Sequence, residues 1–413
     1  MTFFRKHAPG RTRRAAVAAL AAAGTLALGA GPAALAQTPD KVRIGYVISK
    51  SGPNAAGAGT TTLPNYQLWV KEVNAAGGLN LGGKRVPIEV IEYDDRSQSE
   101  ETVRAIERLM TQDKVDFILP PWGTALNLAV APLLNRGGYP HLAVTAISER
   151  IPELAQRWPN TLWLAGLPSM FAESLVELLK QQRDAGKIND RVVMLSVADA
   201  FGIELAKAGK PALEKAGFKI AVEKSYPLGT QDLAPLIAEA KASGADTFIA
   251  FSYPPDTIGL TDQARIAQYN PKIFYTAVGT AFPVYRDKFG PTAEGVMGLG
   301  TWNPKTSPAA KAYFDAHVKR WNKEPDRWAS AHAWAGLQIL EQAVAKVGLD
   351  RKALRDYIAA NEFDTIIGKI RFKNGENVAT PGVVSQWSSG EFEVVWPPDR
   401  ATGPALFPKQ PWK

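Results

Sequence analysis

The 413-residue sequence contains no cysteine and only four histidines. Without cysteine the chain forms no disulfide, offers no thiolate nucleophile and has no cysteine to carry a lipid anchor. The sequence also lacks the H-E-x-x-H and G-x-S-x-G motifs, so zinc-hydrolase and serine-hydrolase chemistry have no support in it. These absences remove common enzyme classes and leave binding as the function to examine.

The remaining titratable residues do not form a recognisable catalytic set. His141, His317 and His332 are far apart in sequence, and we expect each to be a surface or hydrogen-bonded core residue. Asp94 and Asp95 are neighbours on a predicted strand, so their side chains point to opposite faces and do not share a site. We therefore predict no catalytic residue, no metal site and no cofactor.

A glycine-rich stretch, "SKSGPNAAGAGTT", follows the apolar run "VRIGYVI". Gly52 and Gly57 have the spacing of a phosphate-binding loop, but Ala58-Gly59 follow where such a loop has Lys and Ser or Thr. The stretch also lacks the third glycine of a dinucleotide-binding fingerprint. Its small side chains instead predict that another part of the protein or a ligand approaches this backbone closely.

The first 36 residues have the pattern of a secretory signal peptide. They contain basic residues but no acid, continue as an apolar stretch and end in Ala34-Leu35-Ala36, which predicts cleavage before Gln37. A membrane anchor is the alternative, but glycines and a proline interrupt the apolar stretch before it reaches the ~20 residues of a span. The pair Arg13-Arg14 leaves both Sec and twin-arginine export open. We expect a periplasmic protein without a lipid anchor.

The formal charge of +8 owes much to this segment. Five basic residues lie within it, so the mature chain carries about +3; they are Arg5, Lys6, Arg11, Arg13 and Arg14. The rest of the sequence has no run of basic residues interleaved with aromatic ones, and we expect no nucleic-acid partner.

Short β-branched runs alternate with amphipathic stretches along most of the chain, which predicts parallel α/β sheets. Strands are expected at "VRIGYVI", "VPIEVIEY", "DFILP" and "HLAVTA", and again at "RVVMLSVA", "DTFIAFSY" and "KIFYTAV". Helices are expected between them, for example at Leu63–Ala75 and Ser99–Thr111. Two later segments, with turns at Asn374-Gly375 and Ser389-Gly390, predict β-hairpins.

Aromatic and small residues follow several of these strands. Trp122, Gly123 and Thr124 follow the third strand, Thr145 follows the fourth, and a helix start with free amides suits a carboxylate. In the second series, Phe201 and Tyr253 occupy corresponding strand ends. Each residue has a structural alternative, since Thr124 would also cap its helix and Trp122 would also pack in a core.

In this order the motifs resemble the periplasmic leucine/isoleucine/valine-binding proteins and the wider amino-acid and amide ABC-transport family. The resemblance rests on "IGYVISKSGPNAAGAG", "IEYDDRSQSEETVRAIERLM", "ADAFGIELAKAGKPALEKAG", "ASAHAWAGLQILEQAV" and "FDTIIGKIRFKNGEN". It implies a two-lobed α/β fold of the type I periplasmic binding protein class, each lobe a parallel-sheet α/β sandwich with a ligand cleft between. The expected boundaries are a signal peptide at 1–36, an N-terminal lobe at 37–158 plus 300–378, and a C-terminal lobe at 159–299 plus 379–413.

The same resemblance implies a monomeric, non-enzymatic receptor that closes on its ligand and delivers it to permease and ATPase subunits. By position, the loop at 51–56 edges the cleft, the residues around Trp122 and Thr145 take the ligand carboxylate, and aromatic residues close from the second lobe. The candidate ligand-binding residues are Asn54, Ala55, Trp122, Gly123, Thr124, Ala143, Thr145, Phe201, Tyr253, Val278 and Phe282.

The sequence departs from the family pattern at one position. Where amino-acid binders have an acid for the ligand's ammonium group, this chain has Val278 between Ala277 and Gly279. Either Asp199 or Asp256 replaces that acid, or the ligand has no ammonium group. We expect a branched-chain-type amino acid or a related small carboxylate, aromatic ones included. A ligand-sensing receptor subunit and a periplasmic amidase-type enzyme are the alternatives.

Overall fold

The computed structural model describes residues 39–412, so the predicted signal peptide lies outside the described residues. The first apolar run forms a strand that pairs in parallel with two others, in the order β4-β1-β5. The strands of the first half are β1 (Val42–Ile48), β2 (Leu79–Leu81), β3 (Lys84–Val86), β4 (Ile88–Asp94), β5 (Phe117–Leu119), β6 (His141–Ala143) and β7 (Thr161–Trp163). The helices between them are α1 (Ala55–Thr61), α2 (Leu63–Ala75), α3 (Ser99–Thr111), α4 (Thr124–Arg136) and α5 (Ile151–Arg157).

The second half repeats the alternation and then ends in helices and hairpins. Its strands are β8 (Arg191–Val197), β9 (Lys219–Tyr226), β10 (Thr247–Phe251), β11 (Ile273–Thr276), β12 (Met297–Gly298), β13 (Glu362–Thr365), β14 (Gly368–Lys373), β15 (Glu376–Asn377), β16 (Val384–Ser388) and β17 (Glu391–Trp396). Its helices are α6 (Pro168–Asp184), α7 (Ala200–Lys215), α8 (Ala234–Ala242), α9 (Pro254–Ile266), α10 (Pro283–Phe289), α11 (Pro308–Trp321), α12 (Ala329–Val347) and α13 (Arg351–Ala360).

Apart from the two-stranded sheet of β2 and β3, the strands form two groups, one in each lobe. The first lobe has the ladder β4-β1-β5 and, in contact with it, the ladder β6-β7-β15-β14-β13. The second lobe has the seven-stranded order β17-β16-β12-β11-β10-β8-β9. Parallel pairing holds from β9 to β12, and the predicted hairpin, β16 and β17, adds an antiparallel edge.

The strand pairing corrects one predicted lobe boundary. We expected the chain to leave the first lobe after Trp158, but Thr161–Trp163 pairs in parallel with His141–Ala143. Because a shared ladder fixes a strand to its sheet, β7 belongs to the first lobe and the crossing follows Trp163. The chain returns after β12, and it crosses a third time between β15 and β16.

The two hairpin turns were predicted correctly. Phe372 pairs with Asn377 and Ser388 with Glu391, so the turns fall at Asn374-Gly375 and Ser389-Gly390. All four turn residues have positive φ, between 51° and 78°, the backbone form that Gly and Asn adopt at low energetic cost.

The last residues are packed against the second lobe. The Trp412 ring meets Phe274 edge-on at 5.2 Å, and the backbone N–H of Lys409 donates to the Lys272 carbonyl at 2.8 Å. Trp412 is only 5% exposed, so the tail covers apolar surface of the second lobe. Within residues 39–412, no helix combines the length and the apolar character needed to cross a bilayer.

Candidate functional site

Trp122 and Tyr253 bring the two lobes into contact. Trp122 lies between β5 and α4 of the first lobe, Tyr253 lies just before α9 of the second, and their ring centroids are 5.0 Å apart. Phe201, at the start of α7, stacks on the other side of Tyr253 at 5.0 Å and 18°. Trp122 is 0% exposed, Phe201 1% and Tyr253 2%, so the rings fill the space between the lobes at this point.

The start of α4 supplies the polar part of the same region. Gly123 has a φ of +90°, a conformation that only glycine adopts easily, and it turns the chain from β5 into the helix. The Gly123 N–H donates to the Thr145 hydroxyl at 3.0 Å, and the Ile147 N–H donates to the Thr124 hydroxyl at 3.3 Å. The structure therefore joins the two predicted carboxylate-binding segments into one buried network.

Tyr253 links that network to an acid. Burial, together with the nearby charge of Asp199, raises the pKa of Tyr253 well above its usual value, so its hydroxyl remains protonated. Burial also raises the pKa of Asp199, although hydrogen bonds from the Phe201 N–H and the Tyr253 hydroxyl oppose the shift. The structure therefore brings both candidate acids to Tyr253: Asp199 acts on it through its charge, and Asp256 accepts from the Tyr253 backbone N–H at 3.5 Å.

The small-residue stretch has a clear packing role. A Cβ atom on Gly57 would lie 2.2 Å from Cζ2 of the Trp122 ring, so the indole rests directly on the α1 backbone. The loop before α1 is fixed by β4, because Asp94 accepts from the Ser51 hydroxyl at 2.8 Å and Asp95 accepts from the Ser49 hydroxyl at 2.6 Å. The two aspartates therefore hold this loop in place.

The other candidates occupy different places. Asn54 and Ala55 begin α1, and the buried Asn54 side-chain oxygen has no hydrogen-bond partner within the described chain. Val278 is 1% exposed, and its carbonyl accepts from Thr257 at 2.6 Å; Phe282 is also buried, at the N-terminus of α10.

Ala143 packs away from the aromatic rings. Its side chain belongs to a small cluster with Ala146, Ile151, Leu154 and Trp163, whereas Trp122 lies in the main core. The structure does not bring the Ala143 side chain to the candidate site.

Sequence reasoning missed Trp328, which lies where the chain runs from α11 into α12. Its ring meets Phe201 edge-on at 6.3 Å and is 2% exposed. Asp326 fixes this residue, because its carboxylate accepts from the Trp328 N–H at 2.7 Å. In the sequence, Trp328 stands immediately before the "ASAHAWAGLQILEQAV" motif, but unlike the other aromatic candidates it does not follow a predicted strand.

The three histidines of residues 39–412 are buried, although Nε2 of His317 and Nδ1 of His332 have no hydrogen-bond partner within the described chain. Burial lowers the pKa of His141 to about 3 and that of His332 to about 4, and it also lowers the pKa of His317. His141 is fully hydrogen-bonded, to Asn127 at 2.9 Å and Thr161 at 3.2 Å. Residues 39–412 contain no cluster of three or more His, Asp or Glu side chains suited to a metal ion.

A separate groove of about 670 Å³ also has walls from both lobes. Helices α1 and α2 and residues 317–324 line it from the first lobe, and α10 lines it from the second. None of the candidate residues lines it. His317 borders the groove, but its unpartnered Nε2 is covered by protein, so the groove presents no free polar atom from that ring.

Asp256 makes a testable contribution to stability. It is 2% exposed near the start of α9, and burial raises its pKa to about 6. An unfolded aspartate has a pKa near 4, so the folded state binds the proton more tightly and loses stability as pH rises from about 4 to about 6. Between these pH values, we expect the free energy of unfolding to fall by about 2 to 3 kcal/mol less in Asp256→Asn than in the wild type.

Urea unfolding at pH 4.5 and pH 7 measures the effect. Asp287→Asn, at an exposed aspartate whose side chain is 67% accessible, is the matched control. If the free energies of unfolding of wild type and Asp256→Asn differed by the same amount at both pH values, the prediction would be wrong.

Taken together, these features define a two-lobed α/β protein whose candidate site lies between the lobes and is built from strand-end segments of both. The chain belongs to the periplasmic binding protein family, because the family profile of that description matches residues 41–391. This family is periplasmic, and its members bind solutes for ABC transport.

Relatives and solved structures agree with this assignment. The chain is 24% identical over 409 residues to Leu/Ile/Val-binding protein homolog 7 of Brucella suis, covering 95% of this chain and 98% of that protein. It has the fold of the branched-chain amino acid transporter substrate-binding protein of Streptococcus pneumoniae in complex with isoleucine, with a TM-score of 0.75, 20% identity and coverage of 86% and 100%. It is also similar to an R. palustris ABC transporter solute-binding protein in complex with benzoate, with a TM-score of 0.75, 17% identity and coverage of 89% and 97%.

Proposed function

We propose that this protein is a monomeric substrate-binding component of an ABC importer, and that it captures a small carboxylate with an apolar or aromatic body by closing its two lobes. The contact of Trp122 in one lobe with Tyr253 in the other, with Phe201 stacked behind, carries the proposal. Flat rings from both lobes at one point suit a ligand that is held between them and released when they separate. Permease and ATPase subunits are the expected partners.

The start of α4 is the proposed carboxylate site. Backbone N–H groups at a helix N-terminus favour an anion, both through their free hydrogens and through the helix dipole. The Gly123 N–H already donates to the Thr145 hydroxyl at 3.0 Å, so a carboxylate next to Trp122 would accept from the Thr145 hydroxyl proton and from free amides in the first turn of α4. An apolar body attached to that carboxylate would then contact the Trp122 and Tyr253 rings.

Position 278 is a valine and not an acid, which favours a ligand without an ammonium group. A buried ammonium without a partner costs several kcal/mol, which corresponds to orders of magnitude in affinity. Asp199 acts on Tyr253 through its charge, but its carboxylate already accepts a hydrogen bond from the Phe201 N–H at 3.2 Å. The structural neighbours include complexes with isoleucine and with benzoate, so both ligand types need testing.

We propose no enzymatic activity. A hydrolase of similar ligands would need a nucleophile within hydrogen-bond reach of a base. His141 and His332 are neutral at pH 7 because burial lowers their pKa values to about 3 and 4, and His141 is already bonded to Asn127 and Thr161.

A thermal-shift and calorimetry screen tests the proposal. The probes are isoleucine, leucine, 4-methyl-2-oxopentanoate, benzoate and 3,4-dihydroxybenzoate. A ligand at 100 times its Kd stabilises the protein by about 2.7 kcal/mol. We expect the acids without an ammonium group to give this shift. Tight binding of leucine, with no thermal shift from 4-methyl-2-oxopentanoate, would contradict our interpretation of Val278. Turnover of any bound probe would contradict a purely binding role.

Asp199→Asn separates the two ligand types by the sign of its effect. Removing a negative charge near the site should tighten benzoate binding at least about fivefold, since two like charges within ~15 Å repel by about 1 kcal/mol or more at an effective dielectric of about 20. The same change should weaken isoleucine binding if Asp199 meets its ammonium group. Calorimetric Kd values for both probes, with Asp287→Asn as control, measure this. A benzoate Kd that weakens would contradict the charge argument.

A further inference from the structure

A short segment of the first lobe, Ser148-Glu149, is held by two helices of the second lobe. The Ser148 hydroxyl donates to one carboxylate oxygen of Glu204 in α7 at 2.9 Å, and the Glu149 backbone N–H donates to the other oxygen at 3.0 Å. In return, the Glu149 carboxylate accepts from the Ser169 N–H in the first turn of α6. Three hydrogen bonds therefore connect the lobes at this point, outside the aromatic cluster.

Each carboxylate oxygen of Glu204 accepts a hydrogen bond from this segment. The Ser148 oxygen accepts from the Arg150 N–H at 3.1 Å, which directs the Ser148 hydroxyl proton toward Glu204. The Arg150 guanidinium pairs with Glu153 at 2.9 Å, so it forms no ion pair with Glu204. Ser148 is only 1% exposed. Hydrogen bonds to a carboxylate are stronger than those between neutral groups, and these have little competition from water at Ser148.

We propose that Glu204 is an inter-lobe latch: a positioning residue that raises the population of the closed form and thereby sets ligand affinity without touching the ligand. The inference rests on the proposed closing function but on no particular solute. Both acceptor contacts of Glu204 cross from one lobe to the other, and on this proposal they are lost when the lobes separate. Apparent affinity scales with the fraction of binding-competent molecules, so weakening the latch weakens binding of every solute by the same factor.

The experiment measures the distance between the lobes in ligand-free protein. Because the chain contains no cysteine, a pair of spin labels at Lys71→Cys in the first lobe and Ile266→Cys in the second is unambiguous. Both positions are exposed. The variants are Glu204→Ala, which loses both bonds, and Glu204→Gln, whose carbonyl oxygen retains one acceptor. Glu214→Ala is the control, because Glu214 is an exposed acid on the same helix.

We expect the closed-to-open ratio from electron–electron distance measurements to fall at least fivefold in Glu204→Ala, to fall less in Glu204→Gln, and to stay at the wild-type value in Glu214→Ala. The Kd for benzoate should weaken by the same factor as the closed fraction falls. A lowered melting temperature with an unchanged distance distribution would assign Glu204 a merely structural role and overturn the proposal. Identical distributions in Glu204→Ala and Glu214→Ala would also overturn it. Because the distances are measured without ligand, this result is independent of whether benzoate is bound at all.

Discussion

Trp122→Ala is expected to weaken binding of the best carboxylate probe by at least about thirtyfold. The indole lies 5.0 Å from Tyr253 across the lobes, and removing a central buried aromatic from a binding site costs about 2 kcal/mol or more. That energy corresponds to about a thirtyfold change in Kd. Calorimetry on the folded variant gives the value directly.

Two further variants make this result interpretable. Trp122→Phe keeps a flat ring and should lose less affinity than Trp122→Ala. Trp158→Ala should keep the wild-type Kd, because Trp158 is half-buried and packs with the separate Ala143 cluster. Trp122→Ala also leaves a cavity, so its fold must be checked by circular dichroism. A folded Trp122→Ala protein with unchanged affinity would place the tryptophan in the core alone.

Gly57→Ala is expected to abolish tight binding as well, through the opposite change. The new Cβ would lie 2.2 Å from Cζ2 and 2.5 Å from Cε2 of Trp122, closer than atoms can approach, so the indole must move toward the second lobe. Overpacking of this kind costs about 1 to 3 kcal/mol in stability, and the displaced ring occupies the space in which the lobes meet. We expect at least a tenfold loss of affinity together with a lower melting temperature.

The same helix supplies the control. Gly59 also lies in α1, but a Cβ there meets nothing within 4 Å. Gly59→Ala should therefore stabilise the protein by up to about 1 kcal/mol through helix propensity and leave affinity unchanged. If both glycine variants behaved alike, the small-residue stretch would serve helix formation only, and the contact with Trp122 would have no functional weight.

Much of the fold could be predicted because local pattern and tertiary structure agree. The limits of α2 and α3 match the expected ranges residue for residue, since each amphipathic stretch is bounded by clear start and stop residues. The strand β7 was missed because three residues, "TLW", carry no periodic pattern; its identity depends on pairing with β6. The packing of the tail was not predicted for a related reason, because its proline-rich sequence gives no sign that Trp412 packs against Phe274.

The candidate site also contains residues that could be predicted from the sequence and residues that could not. Trp122, Phe201 and Tyr253 follow strands, and strand ends of parallel sheets meet at one edge, so their proximity could be predicted. Trp328 follows no strand, and its contact with Phe201 depends on the path of the crossing segment. Glu204 resembles any charged residue on the outer face of an amphipathic helix, and only the opposite lobe reveals its partners.

The lobe connectivity has a consequence for biosynthesis. The first lobe is completed by α11 to α13 and β13 to β15, and the second by β16, β17 and the tail that covers Phe274. Neither half can bury its full apolar surface until nearly all of the polypeptide is available. A nascent chain with this architecture remains incompletely folded throughout translation, and its final packing follows release of the last residues rather than proceeding lobe by lobe.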